Sequence, residues 1–74
     1  MKTAKEMFEE LGYEVEIKDN VISYTKELIL DFQHSNDNDF YNCLYIHNAN
    51  KEDISFSKEE LKSINQQISE LKWE

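Results

Sequence analysis

The chain has 74 residues, of which 39% are hydrophobic and 32% charged, and its net charge is −8. This length suffices for one domain, spanning residues 1–74, and the composition is typical of a folded chain rather than a disordered one. The acidity disfavours direct nucleic-acid binding, because it repels phosphate backbones, and all eight basic residues are lysines, which lack the bidentate fork of arginine.

The cysteine content and the apolar runs indicate where the protein is found. Cys43 is the sole cysteine, so no internal disulfide can form, whereas small secreted domains usually carry several cysteines. The first eleven residues lack the apolar core of a signal peptide, and the longest apolar run, residues 43–46, is far shorter than a membrane span. We therefore expect a cytoplasmic protein with no membrane contact.

A first helix is predicted from Ala4 to Leu11. Thr3 is suited to be its N-cap, and Glu6 stands three residues later, as a capping box requires. Apolar residues recur along this segment at the spacing of one buried stripe. Gly12, the only glycine, stands where a left-handed residue would end the helix.

Alternating apolar and polar residues predict an antiparallel meander in the middle of the chain. The predicted strands are Val21 to Thr25, Leu28 to His34 and Phe40 to His47. The segment from Tyr13 to Lys18 also alternates, and it could be either a further strand or an extended connector.

A last helix is predicted to begin after Ser57, which forms a second capping box with Glu60. Its predicted apolar stripe consists of Leu61, Ile64, Ile68 and Leu71. Two amphipathic helices and one meander predict an α+β fold, namely an α-β-β-β-α two-layer sandwich with both helices on one face of the sheet. The opposite face then stays open, as antiparallel sheets permit.

The sequence offers no recognisable catalytic or metal-binding constellation, so we expect a protein without enzymatic activity, cofactor or metal. A structural zinc site needs about four Cys or His ligands, and the chain holds only Cys43, His34 and His47. A reactive thiol needs a positive environment, which this acidic chain does not give Cys43. The polar run 35–39 begins like a calcium loop, but the glycine and glutamate that such a loop requires are absent.

Two surfaces remain as candidates for binding a partner. The first is the open sheet face, where we expect Tyr41, Tyr45, Ile29 and His47 to dock a partner protein; alternatively, these rings only shield cross-strand pairs.

The second surface is an acidic region near the N-terminus, made of Glu6, Glu9, Glu10, Glu14, Glu16 and Asp19. Such a region could imitate a nucleic-acid backbone and occupy a basic groove. Alternatively, it is only a solvated helix face.

Both ends of the chain resemble a group of small proteins of unassigned function from low-GC Gram-positive bacteria, their phages and prophages. The opening residues 3–14, TAKEMFEELGYE, and the closing residues 57–73, SKEELKSINQQISELKW, carry the resemblance. Members often have glycine before the final tryptophan, where this chain has Lys72. The resemblance implies a phage or prophage accessory protein and assigns no site residues.

Together these observations predict a non-catalytic module that binds an unidentified protein partner through its open sheet face. The alternative is an acidic nucleic-acid mimic that inhibits a DNA-binding defence protein of the host, by analogy of fold and charge with some phage-encoded inhibitors.

Overall fold

The computed structural model describes residues 2–35, 42–48 and 53–73. Its elements, in chain order, are helix α1 (Ala4–Glu10), strands β1 (Glu14–Lys18), β2 (Val21–Thr25), β3 (Ile29–Gln33) and β4 (Cys43–His47), and helix α2 (Lys58–Glu70). The strands form one antiparallel sheet in the order β1-β2-β3-β4. The predicted α+β meander is therefore confirmed.

Among the described residues the sheet has four strands, where the sequence predicted three. The segment that the sequence left undecided is β1, which pairs with β2 from Glu14 opposite Thr25 to Lys18 opposite Val21. The last predicted strand began at residue 40; residues 40 and 41 lie outside the described residues, and the strand that is described begins at Cys43.

Both helices pack on the same side of the sheet, as predicted. From α1, the buried ring of Phe8 stacks on Tyr24 of β2, with ring centroids 3.9 Å apart. From the same side of the sheet, the hydroxyl of Tyr24 donates a hydrogen bond to Oε1 of Gln67 in α2. Because strand residues alternate between faces, Tyr24 assigns this side to the helices and the neighbouring positions to the open face.

The core is an aromatic cluster that joins both helices to the sheet. Phe8 meets Tyr13 edge to face at 5.3 Å, and Tyr24 meets Phe32 in the same way at 5.9 Å. Trp73 adds its ring against Phe32 at 6.1 Å. Aromatic pairs in these geometries contribute about 0.5–1.5 kcal/mol each beyond the area they bury.

The buried face of α2 differs from the predicted stripe. Ile64, Ile68 and Leu71 do pack against the core, but the side chains of this helix that are most deeply buried are Ser63 and Gln67. Leu61 is 55% exposed, so its assignment to the stripe was wrong.

The polar groups on α2 explain this difference. Ser63 donates to the carbonyl of Glu59 at 3.0 Å, and Gln67 accepts from Tyr24. Glu60 accepts a hydrogen bond from the hydroxyl of Tyr13. Polar side chains therefore form half of the buried side of α2. A prediction based on apolar residues alone places the buried side too close to Leu61.

The two helices begin and end in the same way. Thr3 and Ser57 are the N-caps of two complete capping boxes, closed by Glu6 and Glu60. Each helix also ends in a Schellman motif. In α1 the amide of Tyr13 donates to the carbonyl of Phe8 at 3.0 Å.

In α2 the equivalent bond joins the amide of Trp73 to the carbonyl of Ile68 at 3.1 Å. The left-handed residue is Gly12 (φ 93°) in the first motif and Lys72 (φ 59°) in the second. Lys72 thus has a side chain in a backbone conformation that favours glycine.

We expect Lys72→Gly to stabilise the protein by about 0.5–1 kcal/mol, because relief of the left-handed strain exceeds the entropy cost of glycine. Denaturant unfolding measures the change. The matched control is Gly12→Ala at the same position of the first motif, which should destabilise. The nearest atom to the added Cβ would be Cε of Lys26 at 3.7 Å, so backbone strain rather than a clash would cause that loss. A destabilised Lys72→Gly variant would contradict the assignment.

We expect Tyr24→Phe to destabilise the protein by about 1–3 kcal/mol, because it removes the donor to a buried acceptor. Tyr24 is 1% exposed and Gln67 is 3% exposed, so water cannot replace the lost hydroxyl without opening the core. The control is Tyr45→Phe, which removes a hydroxyl from a side chain that is 51% exposed and should change stability by less than about 0.5 kcal/mol. Equal effects of the two substitutions in denaturant unfolding would contradict this view of the core.

The buried tyrosines also predict a loss of stability in alkali. Desolvation raises the pKa of Tyr13 and of Tyr24 above the ordinary value of 10.0, and the hydrogen bond to Glu60 raises that of Tyr13 further. The folded state therefore holds these protons more tightly than the unfolded chain. Their contribution is complete below pH 10.0, the unfolded value, and declines as the pH rises above it.

Unfolding free energies measured at about pH 8 and about pH 11 test this expectation. Tyr24→Phe should lose less stability between the two pH values than the unsubstituted protein does. The lysines titrate equally in both proteins, so their effect cancels in the comparison. An identical loss would show that Tyr24 does not contribute.

Candidate interaction surface on the open sheet face

The open face is the side of the sheet that points away from the helices. Its central row runs across all four strands in register, through Glu16, Ser23, Asp31 and Tyr45. In a second row, Ile29 of β3 lies directly opposite His47 of β4. The alternation of β3 and β4 thus places their side chains on the faces that the sequence predicted.

Three of the predicted contact residues lie together on β3 and β4. Tyr45 is 51% exposed and Ile29 is 37% exposed. The ring of His47 is inclined by 27° to that of Tyr45, with centroids 6.4 Å apart. These three side chains form the aromatic patch of the open face. Tyr41, the fourth predicted residue, lies outside the described residues.

A polar network borders the aromatic patch and links three strands. The hydroxyl of Ser23 donates to Oδ1 of Asp31 at 2.7 Å. Nε2 of His47 lies 3.2 Å from the other carboxylate oxygen, Oδ2. Asp31 therefore contacts Ser23 of β2 and His47 of β4. The contact with His47 holds the imidazole beside Tyr45.

This trio contains serine, aspartate and histidine, but in an order that differs from that of a catalytic triad. In hydrolases the imidazole lies between the two others and removes the proton of the hydroxyl. Here the carboxylate of Asp31 lies in the middle, and the hydroxyl of Ser23 donates to it. The arrangement orders the surface and places the serine beside a carboxylate rather than beside the imidazole.

Cys43 lies at the end of the open face, beside the aromatic patch. Its thiol is half-buried and lies 3.9 Å from Oε1 of Gln33, across the β3–β4 pair. A side-chain hydrogen bond with Cys43 also raises the pKa of Tyr45. The thiol therefore lies close enough to the tyrosine hydroxyl to influence its titration.

The sheet end next to the aromatic patch is concave. An open hollow there is lined by Ile29, Ile46 and His47, and by Lys26 and Glu27 from the turn between β2 and β3. Ile46 belongs to the helix side of β4 but is still 40% exposed. Apolar surface thus continues from the open face around the edge of β4.

The acidic residues singled out in the sequence do not form one surface. Glu6, Glu9 and Glu10 are exposed on α1 and line a shallow depression together with Lys2. Nζ of Lys2 pairs with Glu10 at 2.7 Å. The backbone amide of Thr3 lowers the pKa of Glu6, because that carboxylate closes the capping box.

The other acids lie elsewhere. Glu14 and Glu16 alternate with Val15, which packs against the core, so they project onto the open face. Glu16 pairs with Lys18 on the same strand at 3.4 Å. Asp19 follows in the turn after β1. The sheet therefore separates the acids of α1 from those of β1.

The histidines and the lone cysteine lie apart from any metal-binding arrangement in the part of the chain that is described. Within residues 2–35, 42–48 and 53–73, no group of three or more His, Cys, Asp or Glu side chains could hold a metal ion. His34 follows β3, and its amide donates to the carbonyl of Asn20 at 2.9 Å. None of the helices described is long and apolar enough to cross a bilayer.

Sequence reasoning missed the two residues that organise this surface, Ser23 and Asp31. The alternation of β3 already placed Asp31 on the face of Ile29. The signal that was lacking is the register, because only the pairing of β2, β3 and β4 brings Ser23, Asp31 and His47 together.

Comparison of the chain with family models, curated proteins and solved structures finds no match. An α+β fold by itself does not assign a function, since one fold serves many.

Proposed function

We propose that this chain is a non-catalytic protein-interaction module whose contact surface is the open sheet face around Tyr45. The observation that carries the proposal is the aromatic patch itself. Ile29, Tyr45 and His47 lie side by side and exposed, while the aromatic rings of Phe8, Tyr24 and Phe32 are buried on the other side of the sheet.

The patch has the chemistry of a contact centre. Tyrosine is enriched among residues that dominate binding energies, because it offers a large apolar ring and a polar tip at a small cost in side-chain entropy. The imidazole of His47 beside Tyr45 is held by Asp31 before any partner arrives. A side chain that is held in place loses less freedom on binding than a mobile one.

The charges around the patch favour a basic partner. Glu14, Glu16 and Asp31 share the open face with Tyr45, and the chain as a whole carries −8. Complementary charge would accelerate association and orient the partner, whereas desolvated contact with Tyr45 and Ile29 would supply most of the affinity.

The non-catalytic part of the proposal is supported by the order of the polar network. Ser23 donates to a carboxylate, which is a much weaker base than the imidazole that activates serine in hydrolases. The cytoplasmic location and the phage or prophage accessory role remain parts of the same proposal, supported by the lone cysteine and by the resemblance of the chain ends.

The rival proposal is an acidic nucleic-acid mimic that occupies a basic groove of a DNA-binding host protein. The exposed carboxylates of Glu6, Glu9 and Glu10 along α1 favour it. Against it, Lys2 pairs with Glu10, and Glu14 and Glu16 lie on the other side of the sheet. A groove that follows a phosphate backbone would meet only part of the acidic set.

We expect Tyr45→Ala to weaken capture of the partner from a native-host lysate at least about tenfold, the effect of losing a central aromatic contact. The folded state should persist, because the side chain is 51% exposed. The matched control is Leu61→Ala, which removes a comparably exposed apolar side chain from α2 and should leave capture unchanged. Capture is measured by quantitative pull-down, with circular dichroism as the check on folding.

The same pull-down separates the two proposals. A nucleic-acid mimic should lose its partner when Glu9→Lys and Glu10→Lys are combined, and its binding should fall steeply with salt. The interaction module should keep its partner in that double variant. Retained capture by Tyr45→Ala together with loss in the double variant would reject the open face in favour of the mimic.

A further inference from the structure

Asp31 differs from Glu16, the other carboxylate in the central row of the open face, in how its charge is offset. The side chain of Glu16 is 67% exposed and lies 3.4 Å from Nζ of Lys18. The side chain of Asp31 is only 27% exposed, and its ion-pair partner is His47, which is charged only when protonated. In residues 2–35, 42–48 and 53–73, no lysine pairs with Asp31. Asp31 is therefore a partly buried carboxylate whose charge no lysine of the described chain offsets.

Tyr45 lies directly opposite Asp31 in the β3–β4 pair. The Cβ atoms of residues opposite one another are about 4.5–5.5 Å apart, so the ring and the carboxylate are neighbours on the open face. Tyr45 is 51% exposed. The face of a tyrosine ring attracts a cation that lies within about 6 Å of its centroid, and a carboxylate attracts the same cation by its charge. The two side chains thus favour one kind of ligand.

A similar combination already holds a cation on the helix side of the chain. Nζ of Lys26 lies 5.6 Å from the centroid of the Tyr13 ring, and the hydroxyl of Tyr13 donates to Glu60. On the open face a ring and a carboxylate also stand together, but no lysine among the described residues lies over the ring of Tyr45. A cation from another molecule would complete the same combination there.

We propose that Tyr45 and Asp31 form a subsite that binds one arginine side chain of the partner protein. The inference rests on the proposed function and adds to it the chemistry of the central contact. The guanidinium stacks on the exposed part of the Tyr45 ring and donates hydrogen bonds to the carboxylate of Asp31. The partner is therefore a protein that presents an arginine on a basic surface.

The carboxylate geometry favours arginine over lysine. Oδ1 of Asp31 accepts from Ser23, and Oδ2 lies beside Nε2 of His47. An ionised carboxylate accepts at about four positions, so each oxygen has capacity for a further donor. A guanidinium presents parallel N–H groups that match the two oxygens, and its plane stacks on an aromatic ring. An ammonium group is a compact, strongly hydrated point charge and cannot make both contacts in this way.

The surroundings of the subsite suit the rest of an arginine side chain. Ile29 lies on the same face two residues before Asp31 and is 37% exposed, so it can pack against the methylene groups of the arginine stem. Because Asp31 is partly buried, water screens its charge less than it screens an exposed carboxylate. The net charge of −8 attracts a basic surface from a distance.

An NMR titration of the ¹⁵N-labelled protein with the peptide acetyl-Gly-Arg-Gly-amide tests the subsite. We expect saturable binding with a Kd of about 1 mM, and shifts centred on the amides of Asp31 and Tyr45. The same peptide with citrulline, which keeps the shape of arginine without its charge, should bind at least about tenfold more weakly. Absence of saturable binding would overturn the proposal. So would equal affinity for the citrulline or the lysine peptide, or shifts centred on the acids of α1.

Two matched substitutions separate the subsite from general attraction to an acidic chain. Asp31→Asn should weaken binding of the arginine peptide at least about tenfold, because it removes the charged acceptor. Glu16→Gln removes the same charge from the same row, but from an exposed side chain that is paired with Lys18, and should change the affinity less than about twofold. Equal effects would overturn the proposal. If Asp31→Asn does not fold, the citrulline comparison on the unsubstituted protein decides.

The partner pull-down distinguishes failure of the subsite from failure of the proposed function. Asp31→Asn should weaken capture of the partner, as Tyr45→Ala does. Full capture by Asp31→Asn together with loss in Tyr45→Ala would keep the interaction module and overturn the arginine subsite. Full capture by both variants, with arginine-peptide binding intact in the unsubstituted protein, would instead reject the open face as the contact with that partner.

Discussion

The arrangement of the two layers depends on one contact. This is the hydrogen bond from the hydroxyl of Tyr24, in the middle of the sheet, to Gln67. Phe8 of α1 covers one face of the same ring, so a single residue of β2 positions both helices. Apolar contacts such as those of Ile64 and Ile68 depend less on direction than a hydrogen bond does, so they tolerate small rotations of α2 more readily. A buried hydrogen bond does not, because a small rotation leaves Gln67 without its partner.

This arrangement also determines the composition of the open face. Because the buried aromatic rings lie on the helix side, the opposite side of the sheet carries short polar groups and the patch around Tyr45. Asp31 holds that side together by accepting from Ser23 and pairing with His47. The outer layer is thus ordered by electrostatics, and the inner layer by packing around Tyr24.

Local patterns in the sequence were enough to predict the helices and most of the meander. Capping boxes at Thr3 and Ser57 and the alternation of β2 and β3 are properties of neighbouring residues, so they can be recognised without the fold. What escaped prediction depends on residues far apart in the chain. Glu60, Ser63 and Gln67 are polar by sequence, and only Tyr13 and Tyr24 explain why that side of α2 is buried.

The candidate surface was predictable to the same extent. Alternation alone placed Ile29, Tyr45 and His47 on one face, whereas the Ser23–Asp31–His47 network required the register of three strands. The acidic set shows the converse. Glu10 and Glu14 are close in sequence, but the Schellman turn at Gly12 and the alternation of β1 send them to different sides of the sheet.

The charged residues on β1 have one further consequence, which concerns aggregation. Glu14, Glu16 and Lys18 lie along the open face of a strand at one edge of the described sheet. A second chain that added a strand at this edge would have to place its own side chains beside these charges. The charges of β1 therefore oppose uncontrolled extension of the sheet at this edge.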